Sequence, residues 1–211
     1  MGQNTSPRIV AGLTAGYAVP VGAFSQTDFN DPKSGFAEDG VVYGLHVLYK
    51  LEKNYGVCGS IRMGEHPLDV KALANGYATV AGGKFNVSST RWTRTDTYAG
   101  AFVSIPINRL HIDVKLTPGI TAFNYPEIVA QSDQISLKQS GASVKSIGFC
   151  AGINIRYTIS NSFTAMVQAE TMRNKPQFKV DVEFNGVKEV YEVDQPYSIH
   201  SFGIGFAYNI P

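Results

Sequence analysis

The sequence predicts an all-β protein, an eight-stranded antiparallel up-and-down transmembrane β-barrel with short periplasmic turns and long extracellular loops. Three observations lead to this prediction: segments that alternate between polar and apolar residues, glycine mixed with charge on the polar faces, and aromatic residues near one end of the apolar faces. In residues 110–120, for example, His111, Asp113 and Lys115 share one face, and leucine, isoleucine and valine occupy the other. We expect residues 1–211 to form one barrel domain, with residues 1–7 as a flexible N-terminus.

Eight alternating segments follow one another along the chain. We predict strands at residues 8–19, 40–51, 55–66, 94–106, 110–122, 144–158, 162–173 and 197–209. Short turns at 52–54, 107–109 and 159–161 alternate with long connections at 20–39, 67–93, 123–143 and 174–196. Short turns at one end and long loops at the other are typical of outer-membrane barrels. A transmembrane helix is excluded because no run of eighteen apolar residues exists.

Two of the long loops carry turn signals of their own. Residues 178–184 alternate, Asn185-Gly186 is the pair that a type I′ turn requires, and residues 187–193 alternate again. This pattern predicts a hairpin that extends the barrel wall beyond the membrane. Asn75-Gly76 and Gly82-Gly83 predict a similar but less regular excursion in residues 67–93.

The polar faces are predicted to line a narrow lumen, where glycine makes room for larger side chains. We expect Glu170 and Asp113 to be bridged by Arg62, Lys115 and Arg156 in a network that plugs the barrel. The remaining polar lumen residues would be His46, Lys50, His111, Asn154 and Gln168, with the two histidines as hydrogen-bonding groups.

Two points about the lumen stay open at this level. The predicted lumen has more cations than acids, so either water reaches the surplus cations or loop acids such as Glu65 and Asp69 fold inward. The faces of strand 94–106 are ambiguous, because Tyr98 and Phe102 lie opposite Ala99 and Val103.

The apolar faces are predicted to meet lipid through an aromatic girdle near the short turns. Its members are Tyr49, Tyr55, Tyr157, Phe163 and Tyr208. A soluble lipocalin-like barrel has the opposite arrangement, with its apolar face turned inward around a small ligand. That carrier remains the alternative if the barrel is inside out.

Composition limits the other function classes. The net charge is +1 and no basic run exists, which gives no electrostatic case for nucleic acid. The four histidines lack metal-ligand spacing, so we expect no metal and no cofactor.

Cys58 and Cys150 are interpreted as buried free thiols, although a disulfide is possible. The N-terminus lacks an export signal, and we interpret the chain as a mature protein whose signal was replaced by a start codon.

Several segments resemble the outer-membrane β-barrel domain family common in Bacteroidota, which is similar to the eight-stranded OmpX and OmpA barrels. They are Gly12-Leu-Thr-Ala-Gly-Tyr, Ser104-Ile-Pro-Ile, Leu116-Thr-Pro-Gly-Ile, Gly148-Phe-Cys-Ala-Gly-Ile-Asn-Ile-Arg-Tyr and Ser201-Phe-Gly-Ile-Gly-Phe-Ala-Tyr. The resemblance implies residence in the outer membrane of a Gram-negative bacterium and no enzymatic activity. In that family the last strand commonly ends on an aromatic residue, whereas here Tyr208 is followed by Asn-Ile-Pro.

We therefore expect a non-enzymatic envelope protein that contacts outer-membrane lipid, including lipopolysaccharide. Its loops 67–93 and 174–196 would bind an extracellular ligand or another outer-membrane protein, and eight strands leave little room for conduction. The enzymatic alternative is a lipid A acyl hydrolase that uses Ser198 and His200, with an acid from Glu189, Glu192 or Asp194. Ser198 and His200 are about 7 Å apart along a strand, which is a weak signal for catalysis.

Overall fold

The structure is a computed structural model that describes residues 8–210 and contains thirteen strands and one α-helix. In chain order the elements are β1 (Ile9–Pro20), β2 (Gly40–Lys50), β3 (Tyr55–His66), α1 (Val70–Ala81), β4 (Asn86–Ser89), β5 (Trp92–Ile107), β6 (Leu110–Asn124), β7 (Ile128–Gln131), β8 (Ser136–Gln139), β9 (Ser143–Thr158), β10 (Phe163–Asn174), β11 (Gln177–Phe184), β12 (Val187–Asp194) and β13 (Tyr197–Ile210). A short 3₁₀ turn covers Gly22–Phe24.

Eight of the strands form a closed antiparallel barrel in the order β1-β13-β10-β9-β6-β5-β3-β2. The ladder from Ile9↔Ile210 to Pro20↔Ile199 joins the first strand to the last and closes the barrel. The predicted fold is confirmed, with strand bounds that differ from the prediction by at most two residues. The expected flexible segment 1–7 lies outside the described residues.

The apolar faces of the barrel point outward and the polar faces point inward. Leu116 and Ile204 expose 60% and 68% of their surface, whereas Asp113 and Asn154 are fully buried. Burial of charge within an exposed apolar shell is the arrangement of a membrane barrel. The lipocalin-like alternative is therefore wrong.

One proline interrupts the wall between β5 and β6. The ladder runs from Thr93↔Asn124 to Tyr98↔Gly119 and resumes at Ala101↔Leu116 in the same register. Pro118 lies in the gap, and it has no amide hydrogen to donate to the neighbouring strand. On its other side Pro118 still lies opposite Phe149 of β9, so the wall stays closed.

The long connections fold into a cap, which we define as residues 21–39, 67–91, 125–142 and 175–196. Its five-stranded sheet has the order β12-β11-β8-β7-β4 and lies above five of the barrel strands. In three of the four strand pairs of this sheet, the pairing register is the same as in the pair of barrel strands directly below. These are β4/β7 above β5/β6, β7/β8 above β6/β9, and β11/β12 above β10/β13. The cap sheet is thus an upward continuation of one side of the wall.

Sequence reasoning predicted part of this cap. The hairpin β11–β12 is confirmed, and Asn185 and Gly186 have the positive φ angles, 47° and 86°, of a type I′ turn. The predicted excursion around Asn75-Gly76 is wrong, because both residues lie inside α1. Strands β4, β7 and β8 were not anticipated.

Helix α1 begins at a side-chain cap and ends at glycine. The Asp69 carboxylate accepts a hydrogen bond from the Ala72 amide at 2.9 Å, and Gly82 ends the helix with φ of 74°. Gly76 is required in mid-helix because a Cβ there would lie 2.2 Å from the Phe29 ring. Within residues 8–210 no helix has the length and apolar character needed to cross a bilayer.

Candidate functional site

An ion-pair network crosses the middle of the barrel. Arg62 on β3 pairs with Glu170 on β10, and these strands lie on opposite sides of the closed sheet. Lys115 on β6 pairs with the other oxygen of the same carboxylate. All three side chains expose 7% of their surface or less. The sequence predicted that Arg62 and Lys115 would bridge Glu170, and the structure has both contacts. That the network plugs the barrel stays a prediction.

Asp96 on β5 extends this network toward the mouth. It pairs with Arg94 on its own strand, and its carboxylate lies 3.7 Å from Arg62. Sequence reasoning missed Arg94 and Asp96 because the faces of this strand were left open. The structure assigns Trp92, Arg94, Asp96, Tyr98 and Phe102 to the lumen.

Neutral groups continue the network from Asp96 to β10. Thr121 donates to Asp96 at 2.9 Å, and the Tyr98 hydroxyl lies 3.0 Å from Thr121. With its amide oriented so that nitrogen faces Tyr98, Asn174 donates to that hydroxyl at 3.0 Å. Each donor in this chain of three hydrogen bonds then has an acceptor, which stabilises one arrangement of the buried groups.

A second, separate ion pair lies nearer the short turns. Arg156 on β9 donates to Asp113 on β6 through two nitrogens, Nε at 2.5 Å and Nη2 at 2.9 Å. The Asp113 side chain is fully buried and that of Arg156 is 2% exposed. This bidentate geometry is the strongest form of an arginine–carboxylate contact. The sequence placed both residues in one network with Glu170, whereas the structure separates them from it.

The surplus of lumen cations is reduced by Asp96 and not by loop acids. Glu65 faces outward and pairs with Arg91 at 2.5 Å, and Asp69 caps α1. Of the two alternatives left open for the surplus cations, inward folding of Glu65 and Asp69 is therefore wrong. Lys50 is buried near the short turns and forms no ion pair with any described residue.

The lumen histidines serve as packing groups. His46 is 5% exposed, and neither of its ring nitrogens bonds to a group within residues 8–210. A Cβ at Gly12 would lie 2.7 Å from this ring, so His46 fills the space that the glycine leaves. His111 is 9% exposed, and its Nδ1 also lacks a partner in the described chain. The predicted hydrogen-bonding role is not seen at these nitrogens.

The two cysteines line the same small internal space as His46 and Lys115. Both are buried, and both are free thiols. In the part of the chain that the structure describes, no three histidine, cysteine or acidic side chains are grouped so that they could hold a metal ion.

An aromatic cluster closes the mouth of the barrel above the ion pairs. Phe24 is fully buried and packs against His66, Trp92 and Tyr197 at centroid distances of 5.4, 5.4 and 4.1 Å. The Trp92 indole donates to the Gly35 carbonyl at 3.0 Å, which fixes the first loop over the mouth. The lumen thus contains buried ion pairs in its middle and tight aromatic packing at its mouth.

The cluster continues into the cap, and mouth and cap share one apolar core. Phe178 of β11 packs against Trp92 and Tyr125, and Tyr77 of α1 packs against Phe29 at 4.8 Å. Burial raises the pKa of Tyr77 to about 12 and also raises that of Tyr125. These long loops are therefore packed structure that shares an apolar core with the mouth of the barrel.

The five predicted girdle residues all lie on the outer surface near the short turns. Tyr55, Tyr157, Phe163 and Tyr208 are about half exposed, and the rings of Phe163 and Tyr208 pack edge to face at 5.6 Å. Tyr49 is partly covered by Arg8, whose guanidinium lies 5.1 Å from the ring centre. Sequence reasoning did not identify a second outward-facing group at the cap end of the apolar band. Its members are Tyr17, Tyr43, Phe149 and Phe202.

The candidate hydrolase residues lie on the outer face of β13 near the cap. Ser198 lies opposite Arg173 of β10, and His200 lies opposite Thr171. Ser198 and His200 form no side-chain hydrogen bond with each other. Of the suggested acids, Asp194 accepts from Gln177 and Glu189 accepts from Tyr191. No dyad is assembled among these described residues.

Comparison with solved structures places the fold among outer-membrane β-barrels. The structure is similar to a major outer membrane protein from Thermus thermophilus, with a TM-score of 0.59, 12% identity, and coverage of 95% of this chain and 98% of that chain. It is similar to OprG from Pseudomonas aeruginosa, with a TM-score of 0.51, 13% identity and 96% coverage of both chains. It is also similar to the outer membrane protease OmpT from Escherichia coli, with a TM-score of 0.53, 9% identity and 99% coverage of both chains.

At sequence identities of 9–13%, these comparisons show similarity of fold alone. No protein-family model matches the sequence, and a search among curated proteins finds no significant match. The class of the protein is the eight-stranded outer-membrane-type β-barrel, here with buried ion pairs in its lumen and a folded cap. The Bacteroidota-type resemblance stays a prediction.

Proposed function

We propose that this protein is a non-enzymatic component of the outer membrane of a Gram-negative bacterium that acts through its cap. The observation that carries the proposal is the closure of the barrel at two levels. The pair of Arg62 and Glu170 spans the lumen, and Phe24 and Trp92 seal its mouth. A closed barrel offers no passage, so its functional surface is its outside.

The outside has two parts with different chemistry. The band between the aromatic residues suits lipid tails, and lipopolysaccharide would surround it in the outer leaflet. The cap carries polar and apolar groups on a hydrogen-bonded sheet, which favours contacts with a protein. Cap segments 67–93 and 174–196 would make these contacts, with a molecule outside the cell or with a neighbouring outer-membrane protein.

Residence in the outer membrane is tested by export. The chain is expressed behind a cleavable export signal in a Gram-negative host, and the membranes are separated by density. We expect the protein in the outer-membrane fraction, with a gel mobility that changes on boiling because an intact barrel resists denaturation by detergent. A folded protein in the soluble fraction would contradict the proposal.

Closure and the absence of catalysis are tested together on the purified barrel. Protein in bilayers that contain lipopolysaccharide is assayed for ion conductance and for release of fatty acid. We expect neither above the protein-free control. Steady pores would contradict the plug, and release of fatty acid that disappears in a Ser198→Ala variant would establish the hydrolase alternative.

A further inference from the structure

The cap sheet has one covered edge and one open edge. At one edge, β4 lies against α1. At the other edge, β12 pairs with β11 on one side and has no neighbour on the other within residues 8–210. An eight-residue edge strand without proline or bulge is a template for pairing with another strand.

The backbone pattern shows which groups of β12 point to the open side. In the neighbouring strand β11, the Asp181 carbonyl accepts from the Ser140 amide, so Asp181 is directed away from β12. Successive residues of a strand bond to opposite sides, so Val180 and Val182 bond to β12. Their register partners on β12 are Tyr191 and Glu189.

The alternate residues of β12 therefore direct their amides and carbonyls outward. These residues are Lys188, Val190 and Glu192. Their side chains are exposed, and Val190 exposes 65% of its surface. Val187 and Tyr191 on the opposite face expose 63% and 49%. The open edge thus combines unpaired backbone groups with apolar side chains on both faces of the sheet.

We propose that two copies of this chain pair through β12 in an antiparallel arrangement centred on Val190. This inference deepens the proposed function, on which it rests, by naming a second copy as the partner of the cap. In this register Val190 lies opposite the partner's Val190, and Lys188 lies opposite the partner's Glu192. By symmetry the Lys188 contact occurs twice, and Val187 lies opposite the partner's Val193.

Charge complementarity selects this register. Within one copy, Lys188 already lies 3.6 Å from Glu183, and Glu192 lies 3.5 Å from Lys179, both on β11. Joining two copies at Val190 therefore forms a row of four charges that alternate in sign across four strands. Opposite charges on directly facing strand positions stabilise a sheet.

Neighbouring registers lack this complementarity. Pairing centred on Glu192 or on Lys188 places like charges opposite each other, which is destabilising. Pairing centred on Tyr191 places Val190 opposite the partner's Glu192, an apolar residue against a charge. The Val190 register is the arrangement that matches both charge and apolar surface.

The pairing also fixes how the two barrels are oriented. The β11–β12 ladder keeps the register of β10–β13 below it, so the hairpin continues the wall away from the membrane. In the proposed pair, a two-fold axis perpendicular to the shared sheet relates the two copies, so the two β12 strands run in opposite directions. Each hairpin points away from its own barrel, and the two barrels therefore lie at opposite ends of the pair, in two membranes that face each other.

Charge-swap variants test the pairing in detergent, where molar mass is measured by light scattering over a range of concentrations. We expect wild type to form dimers, and Lys188→Glu or Glu192→Lys alone to weaken association about tenfold because two attractive contacts become repulsive. The double variant restores opposite charges and recovers dimers. Lys179→Glu is the matched control, because it creates a like-charge pair inside the hairpin and leaves the edge unchanged.

A backbone variant tests the same edge without changing charge. Val190→Pro removes an amide that points to the open side, so the hairpin keeps its bonds to β11 while pairing is lost. Unchanged gel mobility on boiling verifies that the barrel is folded. Dimers that persist in Val190→Pro, or wild type that stays monomeric, would overturn the proposal.

Vesicles test the orientation of the pair. Wild type in phosphatidylcholine vesicles should cluster them, measured as an increase in particle size, and Val190→Pro should not. Dimers in detergent without clustering of vesicles would overturn the facing-membrane arrangement. Conductance and fatty acid release are measured on single barrels and do not require pairing through β12, so a monomeric wild type would remove this inference and leave the closed, non-enzymatic barrel standing.

Discussion

Arg62 and Glu170 are 108 positions apart in the sequence and form an ion pair across the full width of the barrel. Because β3 and β10 lie on opposite sides of the closed sheet, this contact ties the two halves of the wall together. Lys115 shares the carboxylate, and Asp96 is the second acid beside Arg62. Glu170 is thus the carboxylate that pairs with two buried cations, Arg62 and Lys115.

Glu170→Gln is expected to destabilise the barrel without opening its sealed mouth. The substitution leaves Lys115 without a carboxylate and Arg62 with Asp96 alone, and removal of one member of a buried pair costs about 3–5 kcal/mol. The unfolding midpoint in urea should fall, whereas a planar bilayer should stay without conductance because Phe24 and Trp92 still close the mouth.

Glu65→Gln is the matched control for this experiment. Glu65 pairs with Arg91 at the surface, where both side chains are more than a third exposed. Exposed pairs contribute about 0–1 kcal/mol, so stability and conductance should stay near wild type. Equal effects of the two substitutions would contradict the assignment of Glu170 to the plug.

Asp113→Asn is expected to destabilise the barrel about as much as Glu170→Gln does. Arg156 has Asp113 as its only carboxylate partner among the described residues, so the substitution leaves a buried arginine unpaired. The variant should unfold at lower urea, with a loss of about 3–5 kcal/mol. Replacing both residues together, Asp113→Leu with Arg156→Met, removes the uncompensated charge and should recover most of the stability. A double variant that is less stable than Asp113→Asn would show that the pair itself, and not the orphaned arginine, dominates.

The barrel was predictable from sequence because its strands are two-faced along most of their length. Alternation identified all eight strands, and glycine beside charge identified the inner face. The exception was β5, where large aromatic residues face inward. Tyr98 and Phe102 fit there because Gly119 and Gly56 lie beside them, and a Cβ at either glycine would lie within 2.8 Å of the ring. Arg94, Asp96 and Tyr98 occupy alternate positions of the strand and therefore share one face. Two charged residues on the same face as Tyr98 could have identified that face as the inner one.

The cap was only partly predictable, for a physical reason. The hairpin β11–β12 is local, and its Asn185-Gly186 turn can be recognised from adjacent residues. The mouth cluster is non-local, because Phe24 and Phe178 come from two different connections and Trp92 begins the barrel strand β5. Single apolar residues in polar loops have no periodicity, so their convergence was not visible in the sequence.

Phe24→Ala is expected to loosen the cap while the barrel stays folded. The side chain is fully buried, and its removal should cost about 3–5 kcal/mol of local stability. Trp92 is the single tryptophan of the chain and packs on Phe24, so its fluorescence reports this region. We expect emission at longer wavelength and faster proteolysis of the cap, with unchanged gel mobility on boiling.

Phe184→Ala provides the comparison for Phe24→Ala. Phe184 also lies in the cap, next to the hairpin turn, but it is 48% exposed and lies outside the apolar cluster. Its removal should leave the Trp92 emission and the proteolysis rate unchanged. If Phe24→Ala affected neither measurement, the mouth cluster would not hold the cap closed.

Gly16→Ala and Gly59→Ala are expected to differ sharply although both glycines lie in barrel strands. A Cβ at Gly16 would lie 2.1 Å from the Phe202 carbonyl oxygen of β13, a backbone atom that cannot move without opening the wall. At Gly59 the nearest atom would be 3.7 Å away, which is ordinary contact. Overpacking costs about 1–3 kcal/mol, so Gly16→Ala should lower the refolding yield and the urea midpoint, and Gly59→Ala should match wild type. Equal yields for the two variants would mean that β1 and β13 are farther apart than the structure has them.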